Sequence, residues 1–163
     1  MRDGYVDYDG IAADPRFAQV VAALATAEPP GERDAALAWS INAYNALVIQ
    51  AVLLGQPGTD GPGKRLATGP RFDVAGSRIT LDQLERERLR PAGDPRVYLA
   101  LACACLSGPR LANHAYPATG LDAALDDASR RFVNDITRNR FDIAQRSAFL
   151  APPFAVHGED FAA

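Results

Sequence analysis

Between Glu32 and Leu54 the chain reads ERDAALAWSINAYNALVIQAVLL, with apolar residues at helical spacing on nearly every side. Leu37, Ile41, Tyr44, Val48 and Val52 form one row, and Ala38, Asn42, Asn45 and Ile49 form the row beside it. From Ala35 to Leu54 the polar exceptions are Ser40, Gln50 and the two asparagines. A helix apolar almost all round must be wrapped by other elements, so the pattern predicts a buried central helix over about 32–54. Asn42 and Asn45 share a face, and a buried amide needs partners for its donors and its acceptor. Two roles follow: bridging neighbouring backbone to hold loops in place, or lining a polar pocket.

On either side of this helix the periodicity is weaker but legible. Val6 to Asp14 reads as an extended entry. A helix then runs from Pro15 to about Thr26, with Asp14 as its N-cap and Phe17, Val20, Val21 and Leu24 on its apolar face. Residues 55–70, dense in Gly and Pro, are expected to form a surface loop, with an active-site flap as the sharper reading. Residues 71–81 alternate as a small hairpin in which FDV and RIT flank an AGS turn. A short helix, DQLERERLR, follows with Asp82 as cap, and Pro91 and Gly93 stop it. Asp94 to Leu106 is a second strongly apolar run, either a buried strand or a buried helix capped by Asp94. Ala and Leu favour the helix over most of it. Thr119 or Gly120 opens a helix with Leu121, Leu125, Ala128 and Phe132 inward, and a second hairpin follows, turning near Gln145 to Ser147. The fold class is therefore α+β, one domain over 1–163, mostly helical around the buried helix and carrying two small antiparallel hairpins.

Composition narrows the function classes. The chain has 163 residues, 48% hydrophobic and 23% charged, which is ordinary for a globular protein with a proper core. A net charge of −3 argues against nucleic-acid binding, which needs a basic face. Lys64 is the single lysine; with the heavy Ala, Gly and Pro usage this suggests a GC-rich bacterial gene. No apolar run approaches the ~18 to 20 residues that span a bilayer, so no membrane partner is expected. The opening MRDGYVDYDG is polar and acidic, unlike a signal peptide. Cys103 and Cys105 are two apart, a spacing read as wrong for a disulfide, so free thiols and a reduced, cytoplasmic protein are expected.

Several segments, in order, resemble the bacterial and plant family catalogued as domain of unknown function 547. VDYDGIAADP resembles its entry segment and AWSINAYNALVIQAVL its central helix, usually written with an aromatic pair before INAYNA. FDVAGSRITLDQLERERLRP resembles a strand pair followed by LDDIEH and LRP; DPRVYLALACACLSGPRL resembles DPRIHFALNCASVSCPPL. NHAYPATGLDAALDDASRRFVND and the closing GEDF complete the likeness. Asn42, Tyr44, Asn45, Glu85, Arg90, Cys103, Pro109 and Tyr116 match the family pattern. The departures are Arg86 and Tyr98 at histidine positions, Ala102 at an asparagine, and Gly108 at the second cysteine. Any cysteine–histidine or metal chemistry the resemblance implies has thus lost most of its residues here.

The surviving chemistry is narrow. Cys103 as a nucleophile needs a base, and only His114 and His157 are available, neither at a family histidine position. A buried cysteine that stays free packs as a small hydrophobe. One Cys-x-Cys and two distant histidines do not make a zinc site, so no metal or cofactor is expected. Glu85 stands at a motif position within a run of alternating charges; buried beside Asn42 and Tyr98, its pKa would rise into the range of a general acid or base. Arg86 or Arg110 would then hold a substrate oxygen. The expectation is a cofactor-free enzyme acting on a small molecule by acid–base chemistry, in a bacterial biosynthetic pathway. Its catalytic candidates are Glu85, Tyr98 and Cys103, and its substrate-binding candidates Asn42, Tyr44, Asn45, Arg86 and Arg110. The competing expectation is a non-catalytic ligand-binding or protein-interaction domain that kept the fold and lost its reactive residues. A homodimer is among the partners considered: self-association and an exposed apolar patch would favour this second reading, and a closed pocket holding Glu85 with Asn42 the first.

Overall fold

In the computed structural model, which describes residues 5–55 and 68–162, the central apolar stretch is a single helix, α3 (Arg33–Leu53). The carboxylate of Glu32 caps it by accepting from the Ala35 N–H at 2.9 Å. Leu37, Ile41, Tyr44, Leu47, Val48 and Ala51 are all buried, and Val52 at the end of the expected row is half-buried. By length and apolar composition α3 meets what crossing a bilayer needs, against the sequence reading, yet it is 56% buried within the protein. The other elements supply that cover.

Ahead of it lie α1 (Tyr8–Ala13) and α2 (Pro15–Thr26). The entry segment is thus helical where extended chain was expected, because Asp7 caps it by accepting from the Gly10 N–H at 2.9 Å. Asp14 caps α2 with Pro15 at its first position, as the pattern predicts. On α2, Leu24 is buried and Phe17 and Val21 half-buried, but Val20 is 49% exposed, so the apolar face is narrower than read.

The reading of 55–70 as a loop or flap falls almost wholly outside the described residues. The first hairpin pairs β1 (Phe72–Val74) with β2 (Ser77–Ile79), antiparallel, Phe72 opposite Ile79. Its turn is the two residues Ala75 and Gly76, with φ of 49° and 72°, so Ser77 joins the strand rather than the turn. Those turn amides donate to the carbonyls of Leu24 (2.9 Å) and Ala25 (2.7 Å), which closes the open end of α2.

α4 (Leu81–Leu84) begins at a capping box: Thr80 accepts from the Gln83 N–H, and the Gln83 side chain accepts from the Thr80 N–H. The cap is therefore Thr80 and not Asp82. The helix widens into a π turn over Glu85–Leu89, tightens into a 3₁₀ turn at Arg90–Ala92, and ends at Gly93 in the left-handed conformation. Pro91 sits inside that last turn, so Gly93 alone makes the stop.

Asp94 to Leu106 departs furthest from expectation. Only Pro95–Leu99 coils, as a 3₁₀ turn capped by Asp94, and the remainder is neither helix nor strand. Asn45 gives the reason. Its amide donates to the Ala100 carbonyl at 3.0 Å and its oxygen accepts from the Ala102 N–H at 2.8 Å. A side chain of α3 has taken the backbone groups that a helix would have used.

α5 (Leu121–Val133) buries Leu121, Leu125, Ala128 and Phe132, as its spacing predicts, and packs on the Pro95–Leu99 turn. Arg96 on that turn bonds Asp94 and reaches Asp122 and Asp126 of α5. The second hairpin, β3 (Arg140–Asp142) with β4 (Ser147–Phe149), turns through 143–146. Asn139, 2% exposed, fastens it by donating to Phe132 O and accepting from Ala151 N. The chain closes with α6 (Pro152–Val156) and α7 (Gly158–Phe161). Phe161 packs against both the main core and the smaller cluster of Leu99, Phe132 and Ala151.

Candidate functional site

Glu85 stands at the first position of the π turn, where α4 gives up its regular spacing. Its side chain is 21% exposed. Burial raises its pKa to about 7, the carboxylates of Asp82 and Asp160 push in the same direction, and the Arg90 guanidinium pulls against them. At neutral pH such a carboxyl is about half ionised and can give or take a proton.

The end of the chain reaches Glu85. His157, between α6 and α7, places Nδ1 3.8 Å from Glu85 Oε1. Its ring lies flat on that of Tyr98, centroids 3.7 Å apart and planes 4° from parallel. Burial lowers the His157 pKa, with the Arg90 charge adding to the effect and Asp160 opposing it, which favours the neutral imidazole. The Tyr98 hydroxyl donates to Asp160 Oδ2 at 2.8 Å, and Arg90 donates to Oδ1 of the same carboxylate at 3.1 Å. Burial, then Asp160, raises the Tyr98 pKa, so the phenol keeps its proton and remains a donor. Tyr44 on α3 is likewise raised, by burial first and then by Glu85 and Asp82.

These groups open onto one cavity of about 240 Å³, lined among others by Tyr44, Glu85, Tyr98, His157 and both cysteines. Larger clefts of about 500 and 300 Å³ adjoin it, the first sharing Ala102, Cys105 and Pro109 with it; Arg110 lines both, and neither is lined by Glu85, Tyr98 or His157.

The cysteines correct the sequence reading. Cys103 and Cys105 are joined as a disulfide, with Cα atoms 5.2 Å apart, so Cys103 is not a free thiol. The expectation took a spacing of two as wrong for a bridge; Ala104, however, adopts φ 51°, in the left-handed region, and the chain bends back on itself. The bridge also removes one ground for expecting a reduced compartment. Gly108 makes room for it: a Cβ there would overlap Cys103 Sγ and come within 3.1 Å of Cys105 Sγ. The position where the family pattern carries its second cysteine therefore lies against the same sulfur that Cys105 now holds.

Of the residues the sequence singled out, Glu85, Tyr98, Tyr44 and Cys103 meet in this cavity. Asn42 and Asn45 do not line it. Asn42 donates to the Tyr116 carbonyl and accepts from the Tyr116 N–H, both at 2.8 Å, so the two asparagines hold loops against α3. Arg86 pairs with Asp82 at 2.9 Å on the surface, and Arg110 pairs with Asp135 at 3.1 Å. His157, Asp160 and Arg90 were not assigned to the site. GEDF was visible as a motif, but nothing local ties Asp160 to Arg90, 70 residues earlier. Among the described residues no group of three or more His, Cys, Asp or Glu is placed to hold a metal ion.

A family model described as "Protein of unknown function, DUF547" matches residues 31–133, a span that includes Glu85, Tyr98 and both cysteines but ends before His157 and Asp160. No curated protein and no solved structure matches the chain.

Proposed function

The chain belongs to the DUF547 family, and from the geometry of its cavity we propose that it is a cofactor-free enzyme acting on a small molecule by acid–base chemistry. One observation carries the reading: a half-buried carboxyl, Glu85, whose pKa is raised to about 7, opens onto a cavity it shares with a histidine and a tyrosine. Glu85 gives or takes the proton. The Tyr98 oxygen, its one proton held by Asp160, accepts from the ligand and with the His157 imidazole orients it, and Tyr44 forms part of the wall. The volume, about 240 Å³, suits a small metabolite.

The alternative, a binding module, draws support from the β3–β4 hairpin, where Phe141, Ile143 and Phe149 are 58%, 90% and 63% exposed. Self-association through that hairpin would be the simplest form of it.

The test begins with a thermal-shift screen of small metabolites at pH 7 against the wild type and Glu85→Gln. Molecules that stabilise the wild type are then incubated with it in D2O and followed by NMR. The proposal expects at least one that exchanges a carbon-bound proton or turns over with the wild type and at least 100-fold more slowly with Glu85→Gln. Ligands that bind both proteins alike and never react would overturn it in favour of the binding module.

A further inference from the structure

The cavity that holds Glu85 is also lined by Cys103 and Cys105, which are joined to each other. We propose that this disulfide is an exchangeable redox centre, that the molecules the cavity takes are low-molecular-weight thiols and their disulfides, and that Glu85 moves the proton for the exchange. The inference rests on the acid–base reading of Glu85 and adds the substrate class.

Three features separate this bridge from a structural cross-link. It spans a single residue, so it closes almost no loop and removes little entropy from the unfolded chain, which is how a structural disulfide stabilises a fold. It holds Ala104, a residue with a Cβ, in the left-handed region at φ 51°. Opening the ring relieves that backbone, which favours the dithiol and makes the bond a better oxidant. It is also accessible: both cysteines are half-buried and face a cavity open to solvent, where a structural bridge would sit enclosed.

The surroundings give the exchange a direction. The Ser107 hydroxyl lies 3.7 Å from Cys105 Sγ, and since a bridged sulfur has no proton, Ser107 is the donor. That donor steadies a thiolate on Cys105, which marks Cys105 as the leaving sulfur and Cys103 as the one attacked. A thiol RSH gives its proton to the ionised carboxylate of Glu85, and RS⁻ attacks Cys103 Sγ. The Cys103–Cys105 bond breaks, its electron pair leaves with Cys105, and Glu85 returns the proton to that sulfur. A second RSH gives its proton to Glu85 in turn and attacks the R sulfur of the mixed disulfide. RSSR departs, and Cys103 takes up the proton. The protein disulfide gains two electrons and two protons from two thiols, and the reverse reaction reduces RSSR. Burial first, then Asp82, Arg90 and Asp160, set the proton affinity of Glu85; the His157 ring lies 3.8 Å away, and the phenols of Tyr44 and Tyr98 feel the Glu85 charge.

The experiment treats the native, folded protein with glutathione buffers of stepped redox ratio and with dithiothreitol. Free thiols are trapped by alkylation and counted by mass spectrometry. The proposal expects complete conversion to the dithiol without denaturant, reversal by glutathione disulfide, and a single glutathione adduct on Cys103 in Cys105→Ser. Reduction only after unfolding would overturn the redox centre, while the acid–base reading of Glu85 would still be judged by the metabolite screen. Exchange in which Glu85→Gln matches the wild type in rate and pH profile would overturn the role of Glu85 and leave the redox centre standing. The expected result is a 10-fold or greater slowing in Glu85→Gln. Should that variant not fold, the wild-type exchange rate, taken relative to a model disulfide at each pH, carries the same information through an inflection near pH 7.

Discussion

At the scale of a single residue, Glu85 couples the site to the stability of the fold. In the unfolded chain its carboxyl ionises around pH 4.5; in the folded chain it holds its proton to about pH 7. Between those values the folded state binds more protons than the unfolded one, so stability falls as pH rises through the window. The displacement corresponds to roughly 3 kcal/mol once both states are ionised. Glu85→Gln keeps the shape of the protonated side chain and removes the ionisation. Its denaturant midpoint is expected to exceed that of the wild type at pH 8, by about 2–3 kcal/mol in free energy, and to match it near pH 4. A loss of stability at every pH would instead mean that the carboxyl is a structural partner. His157 acts in the opposite sense: its pKa is lowered from 6.5, so the unfolded chain protonates first and stability drops as pH falls below that value. The Glu85 effect is therefore cleanest above about pH 6.5.

At the scale of elements, side chains of α3 decide what the apolar run from Asp94 to Leu106 becomes. Asn45, 6% exposed, satisfies the carbonyl of Ala100 and the amide of Ala102, which are otherwise left without a partner in the core. Asn45→Ala is expected to cost about 2–4 kcal/mol by urea denaturation, since it opens a small void and strands two backbone groups. A cost below 1 kcal/mol would show that water or neighbouring chain replaces the amide. The same spacing of apolar residues was read as a helix here and, correctly, as a helix in α3 and α5. Periodicity reports which residues want burial; it does not report that a neighbouring asparagine will compete for the hydrogen bonds. Asp14 and Thr80 both directly precede their helices, but Pro15 at the first helical position marked the one cap, while Asp82 offered a competing local signal at the other.

At the scale of the whole molecule, the cavity is assembled from α3, the π turn after α4, the Pro95–Leu99 turn, the bridged cysteines and the closing segment. His157 lies outside the stretch matched by the family model yet contacts Glu85, and Tyr98 reaches beyond that stretch to Asp160. A chain ending at Val156 lacks His157 and Asp160. It is expected to keep the α3 core while the pKa of Glu85 falls from about 7 toward its ordinary value, because burial and the Asp160 charge are both relieved. Carboxyl NMR titration reads this directly, and an unchanged pKa would mean that α3 and α4 alone provide the burial.

By itself the sequence determined the buried central helix, the inward face of α5, two hairpins and the candidacy of Glu85, because each rests on periodicity, turn chemistry or a short contiguous motif. Tertiary structure alone decided the rest. Asn42 and Asn45 find backbone partners 74 and 55 residues away, which made them clamps instead of pocket walls. Ala104 turns into the left-handed region and Gly108 leaves space beside it, which joined two cysteines expected to stay apart. The chain terminus folds back over Glu85, and the burial that shifts a pKa is a property of everything packed around a group, not of the residues beside it in the chain.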